Sequence, residues 1–324
     1  MTASARRALL AAALALPMCG CMSERAVRAL GVDGSDDHRI FRIGSVTRLM
    51  MEPVLWRLED TEQINFDRPV GIYLKDALPP EFDKVTLRML HDGATGLPRA
   101  FLSAWCPGDV FTASMGALFG ADVYAEFDSR AEFVRRLWDP RVRSAMRHDG
   151  PRESNMGYAL MMMAICDELG TTPQELCERH LVEPYGLSDT SFEPGDGMRG
   201  RVAQPCAGLF PLLVPRGCPV PDGRGGDVSM FAGGMCSSAA DMLRVCHVIR
   251  PHLARSKALF EELDMGGGRK ALCMRCWTRG GSAFVGFDAV DGRAVVVLGN
   301  CADRLAGEGL ETLDSCRERF EPGR

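Results

Sequence analysis

The chain reads as an α+β protein: one antiparallel sheet covered by helices, with a helical subdomain inserted between. Three observations lead there. Apolar residues recur at helical spacing through the first half, most clearly over residues 45–60 and 155–169. Three strand-like runs follow late, over residues 271–278, 282–289 and 293–299, with Asp291-Gly292 as a hairpin turn. A final helical stretch covers residues 303–319.

The elements follow in order. Residues 22–40 are polar and irregular, a linker with a short helix. The helix over 45–60 places Leu49, Val54, Leu55 and Leu58 on one apolar face. Residues 65–73 are extended and end near Pro79-Pro80, and a short helix over 85–91 leads into a loop over 93–98. Residues 100–150 carry acidic and arginine-rich helices. The helix over 155–169 is apolar (Tyr158, Leu160, Met161, Met162, Ile165, Leu169), hence buried, and Gly170 stops it. Thr172-Pro173-Gln174-Glu175 has the form of a helix start. Residues 205–226 hold many prolines and glycines and read as an exposed excursion. Ser237 or Ser238 caps a helix from 239 to about 250.

Composition limits the possibilities. The 324 residues are 46% hydrophobic, enough for one large domain or two closely packed subdomains. The net charge of −5 is mild and the arginines are scattered, which argues against a nucleic-acid partner. Four of the 38 basic residues are lysines (Lys75, Lys84, Lys257, Lys270) and the rest are arginines. No cofactor motif is present, and the six histidines are too dispersed for a metal centre.

The N-terminus reads as an export signal over residues 1–21. Arg6 and Arg7 precede an apolar stretch over 9–18, too short to span a bilayer, which needs ~20 residues. Met18-Cys19-Gly20-Cys21 resembles a lipoprotein processing site with Cys21 as the lipid carrier. The expected location is the cell envelope, with a lipid anchor in the membrane. The chain has 13 cysteines, and losing Cys19 and lipidating Cys21 leaves an odd number, so at least one thiol is free or bonded between molecules. Cys273-x-x-Cys276 falls on a strand, where the two side chains point to opposite faces, so a redox or metal role is not expected.

Five segments carry a family likeness. They are Phe41-Arg42-Ile43-Gly44-Ser45-Val46-Thr47-Arg48; Val85-Thr86-Leu87-Arg88-Met89-Leu90-His91-Asp92-Gly93-Ala94-Thr95-Gly96-Leu97-Pro98; Ser154-Asn155-Met156-Gly157-Tyr158-Ala159-Leu160; Val182-Glu183-Pro184-Tyr185-Gly186-Leu187-Ser188-Asp189-Thr190-Ser191-Phe192; and Ala232-Gly233-Gly234-Met235-Cys236-Ser237-Ser238-Ala239-Ala240-Asp241. In this order they resemble the serine β-lactamase-related family, which includes class C β-lactamases, D-alanyl-D-alanine carboxypeptidases and related esterases. The resemblance implies a β-lactamase and penicillin-binding-protein-like domain over residues 41–320. Its sheet would have five or more strands, with the site between sheet and helical subdomain. Only about 24 residues separate Cys21 from Ser45, so the N-terminal part of the sheet is expected to be reduced.

The resemblance also assigns the site, with departures at each motif. Ser45 stands at the nucleophile, but the lysine expected three residues later, on the same helix face, is Arg48. Arginine stays charged at any ordinary pH and cannot accept the serine proton. The family's Tyr-x-Asn is Glu153-Ser154-Asn155, so the proton-shuttling tyrosine is lost. Its Lys/His-x-Gly is Thr278-Arg279-Gly280, followed by a shortened loop. The backbone N–H groups of Ser45 and Gly281 would form the oxyanion hole.

Alternatives stand beside these roles. Ser45 can instead cap its helix. Glu153 can pair with Arg48, or activate a water in place of the lost base. Asn155 can bind a ligand amide or hold the loop, and Arg279 can face solvent or bind a carboxylate. Losing a general base alone removes roughly 10²–10⁴ in rate. The expectation is a catalytically impaired envelope protein that binds a peptidoglycan stem peptide or a partner. The alternative is an active serine hydrolase acting on D-alanyl peptides, β-lactams or small esters and amides.

Overall fold

The computed structural model describes residues 25–29, 38–98, 129–148, 153–206, 228–278, 281–301 and 309–313. The export signal, Cys21, Arg279, Gly280 and most of the excursion over 205–226 lie outside these residues.

The sheet is built mainly from the late strands: β4 (Glu261–Gly266), β5 (Arg269–Thr278), β6 (Gly281–Asp288) and β7 (Ala294–Gly299). An earlier strand, β1 (Arg25–Ala29), completes the order β1-β7-β6-β5-β4, with every pairing antiparallel. Two of these strands correct the sequence reading. Residues 25–29 belong to the sheet rather than to a linker, so the sheet keeps a strand ahead of the nucleophile. This five-residue segment is too short to show a period-2 pattern, and β7 supplies its ladder. β4 is rich in acidic residues, which disfavour strands. It forms at the edge because Leu263 and Met265 pack against the sheet.

Every residue of β6 and β7 whose side chain is described is buried. The alternation explains why. Ala283, Val285 and Phe287, with Val296 and Leu298, enter the main core, while Phe284, Val295 and Val297 enter a second core on the other face. Helical residues 309–313, part of the expected final helix, cover that second core through Leu313. Both faces are therefore covered by helix.

The main core surrounds two helices, α1 (Thr47–Asp60) and a later one, α5 (Asn155–Leu169). Between them in sequence come α2 (Leu87–His91), α3 (Arg130–Leu137) and α4 (Pro140–His148). α5 ends at Gly170 (φ +61), as its sequence indicates. Next, α6 (Pro173–Cys177) opens with a complete capping box between Thr172 and Glu175. Then α7 (Ser229–Gly233) leads to a short strand, β3 (Cys236–Ser238), which pairs with β2 (Ile40–Arg42). Of the two candidate caps, Ser238 caps α8 (Ala239–Ile249) by accepting from Asp241 N at 3.2 Å.

The single apolar face expected for α1 is replaced by burial almost all round, including Arg48 and Glu52. Each buried charge has a partner on another element. Glu52 is fully buried, bonds His91 Nε2 at 2.8 Å and accepts from Ser256 Oγ at 2.5 Å. The second nitrogen of His91 meets Asp92 at 2.7 Å. Burial works against a charge on His91, but the bonds to Asp92 and Glu52 outweigh it and raise the imidazolium to about 10.

Candidate active site

The turn that carries Ser45 is shaped by the chain on either side. β2 ends at Arg42, Gly44 takes φ +53, and a 3₁₀ turn over Gly44–Val46 runs into α1. A residue with a Cβ is strained at that φ, so the glycine permits the sharp strand-to-helix reversal. The Gly233-Gly234-Met235 segment clamps the turn. Ile43 N donates to Met235 O at 3.2 Å, and Met235 N donates to Thr47 Oγ1 at 3.2 Å. The backbone of Gly233 lies against that of Gly44.

Neither the 3₁₀ turn nor α1 has a side-chain cap, so Ser45 is not serving as a helix cap. It is part-buried and faces β5. Its N–H donates to Cys276 Sγ at 3.1 Å, and its Oγ lies 3.4 Å from the same sulfur.

Arg48 follows one turn later and is 3% exposed. Its guanidinium pairs with the Glu153 carboxylate, itself 38% exposed, and lies 5.8 Å from the centre of the Tyr158 ring. Of the two expectations for Glu153, the pair with Arg48 is the one present. Tyr158 does not replace the lost tyrosine. Burial holds its phenol well above the ordinary value, Glu52 pushes the same way and Arg48 opposes. It stays protonated and cannot take the serine proton.

Asn155 opens α5, and the preceding Ser154 fixes that start. Ser154 Oγ accepts from Gly157 N at 3.0 Å and donates to Pro98 O at 2.6 Å, tying the loop after α2 to the site. Thr278 ends β5, opposite Gly281 at the start of β6. Gly281 stands close against the backbone carbonyl of Arg42, where an added Cβ would lie 2.8 Å from the oxygen. The group that meets the Ser45 amide on the sheet side is the Cys276 thiol.

Cys276, whose strand position predicts no redox or metal role, is a site residue that the family motifs do not mark. The opposite-face expectation was right: Cys273 packs in the second core and Cys276 against the main one. The missed signal was register. Cys276 lies two residues before Thr278, so a strand that offers Thr278 to the site offers Cys276 on the same face.

The remaining motif residues form scaffold. Asp189, 1% exposed, bonds His38 Nδ1 at 2.6 Å and Arg201 Nη1 at 2.5 Å. Asp241 accepts from Asp189 N at 2.7 Å and from Thr190 Oγ1 at 2.9 Å. Among the described residues, no cluster of His, Cys, Asp or Glu could hold a metal ion.

The architecture recurs in solved structures. A class C β-lactamase from Rhodobacter sphaeroides superimposes with TM-score 0.65 at 15% identity, over 98% of this chain and 100% of that one. A D-amino acid amidase from Ochrobactrum anthropi SV3 gives 0.65 at 16%, over 99% and 100%. An octameric penicillin-binding protein homologue from Pyrococcus abyssi gives 0.67 at 16%, over 97% and 77%. No curated protein sequence matches the chain. The family model described as Beta-lactamase matches residues 25–312, from the first strand of the sheet to the helix over its outer face, and the chain therefore belongs to the β-lactamase family.

Proposed function

We propose that this chain is a non-hydrolysing member of the family that binds a peptidoglycan stem peptide at the Ser45 site without cleaving it. The observation that carries this reading is the buried Arg48 paired with Glu153. Acyl transfer needs a group that takes the proton from Ser45 Oγ. Arg48 stands where that group belongs and holds its protons at any working pH. The Glu153 carboxylate, which could substitute in an active hydrolase, is engaged by the guanidinium.

Intact-protein mass spectrometry tests this reading. After incubation with a penicillin or a fluorophosphonate at pH 7–8, the protein is expected to keep its mass. An adduct mapped to Ser45 would establish the rival reading, a working hydrolase of D-alanyl peptides, β-lactams or small esters.

We further propose export and a lipid anchor on Cys21, with the protein held at the cell envelope. Arg6-Arg7, the apolar stretch over 9–18 and Cys19-Gly20-Cys21 support this. Cys206 is disulfide-bonded, the state favoured in an oxidising compartment. Among the described residues, no helix is long and apolar enough to cross a membrane, so in this reading the lipid provides attachment. In a bacterial host the protein should fractionate with membranes, and Cys21→Ala should release it or leave it unprocessed. Wild-type protein recovered with an intact N-terminus in the cytoplasm would overturn the assignment.

A further inference from the structure

Seven cysteines lie outside disulfides among the described residues, and six of them are buried. Burial raises Cys166, Cys177 and Cys273 to about 12, as expected of inert core thiols. Cys276 differs in place and in contacts. It is the partly exposed member of the set, and its sulfur meets both the amide and the hydroxyl of Ser45. In this family the serine amide has a particular use, because an oxyanion donor acts on an oxygen about 2.7–3.1 Å away. Cys276 Sγ, at 3.1 Å, fills that volume.

We propose that Cys276 is an autoinhibitory plug: its side chain occupies the oxyanion position at the Ser45 amide and keeps carbonyl and tetrahedral oxygens out. This rests on reading the surroundings of Ser45 as the ligand site, and it adds a second block independent of Arg48. The backbone supports a stable plug. β5 pairs with β6 along residues 271–278, which fixes the height of Cys276 on the sheet. The clamp of Ile43 and Thr47 on Met235 fixes Ser45 opposite it. Two rigid elements thus hold the sulfur against the amide, and the closed state follows from side-chain size at one position.

The plug predicts that trimming residue 276 opens a site for a tetrahedral anion. Phenylboronic acid is a suitable probe. Ser45 Oγ bonds to boron, the serine proton passes to water, and a boronate oxygen takes the oxyanion position. By fluorescence titration or calorimetry, Cys276→Ala should bind it roughly tenfold tighter or better than wild type. Cys276→Ser keeps an acceptor near the amide and should stay within about threefold of wild type. The gain should vanish in Ser45→Ala/Cys276→Ala. If the alanine variant does not fold, Cys276→Gly takes its place. Equal affinity in wild type and the opened variant overturns the plug; where Arg48 suppresses binding to both, the same pair is compared in an Arg48→Lys background, and equal affinity or no binding there overturns it. Such a failure leaves the proton-acceptor argument standing, because that argument is tested by adducts on the wild-type protein.

Discussion

Replacing Glu52 by alanine is expected to lower the unfolding free energy by about 3–5 kcal/mol, the usual cost of removing one member of a buried charge pair. The carboxylate is fully buried and serves two partners, His91 and Ser256. Its loss leaves the Ser256 hydroxyl and one imidazole nitrogen without their acceptor, and an imidazolium with Asp92 alone. Urea melts at pH 7 measure the effect, and a change below 1 kcal/mol would contradict the account of the network. The pH dependence gives an independent check. The folded protein holds the His91 proton to about 10, against 6.5 for the ordinary side chain. A raised value stabilises fully below the unfolded value and is lost as pH climbs through the folded one. Wild-type stability should therefore decline between pH 6.5 and 10. The decline should be shallower in Glu52→Ala, because one of the two bonds that raise the value is gone.

The largest kinetic effect is expected from repair. Arg48→Lys with Glu153→Tyr and Thr278→His supplies the family's proton-handling groups, but leaves Cys276 on the Ser45 amide. That triple variant should stay near the background set by a Ser45→Ala control. Adding Cys276→Ala should raise Ser45-dependent hydrolysis of p-nitrophenyl esters by about 10²–10³, the usual worth of one oxyanion donor. The assay compares initial rates of folded triple and quadruple variants. If the triple variant alone is as active as the quadruple, the thiol is not the obstacle. If neither is active, the short connection between β5 and β6 has already displaced the site.

Much of this architecture can be read from residue order alone. α5 could be delimited because an all-apolar run meets Gly170, and α8 because Ser238 precedes an amphipathic stretch. β5 to β7 show as apolar runs around Asp291-Gly292 because the sheet is covered on both faces. What stays hidden depends on distant partners. β1 exists because β7 offers an edge hundreds of residues away in sequence. The charge of Glu52 looks like a solvent-facing position on α1 until His91 arrives from another element. Cys276 meets Ser45 only because β5 is placed beside the Ser45 turn. Ser45, Arg48, Glu153 and Asn155 could be picked out because the family order of segments carries them. The thiol has no counterpart in those segments.

The central claim is that a charged Arg48, paired with Glu153, leaves Ser45 without a proton acceptor. Its most direct test is the hydrolysis of nitrocefin and p-nitrophenyl acetate at pH 7–8 by the purified wild-type domain and its Ser45→Ala variant. The account predicts equal rates for the two proteins on both substrates. A wild-type rate clearly above that of Ser45→Ala on either substrate would contradict it.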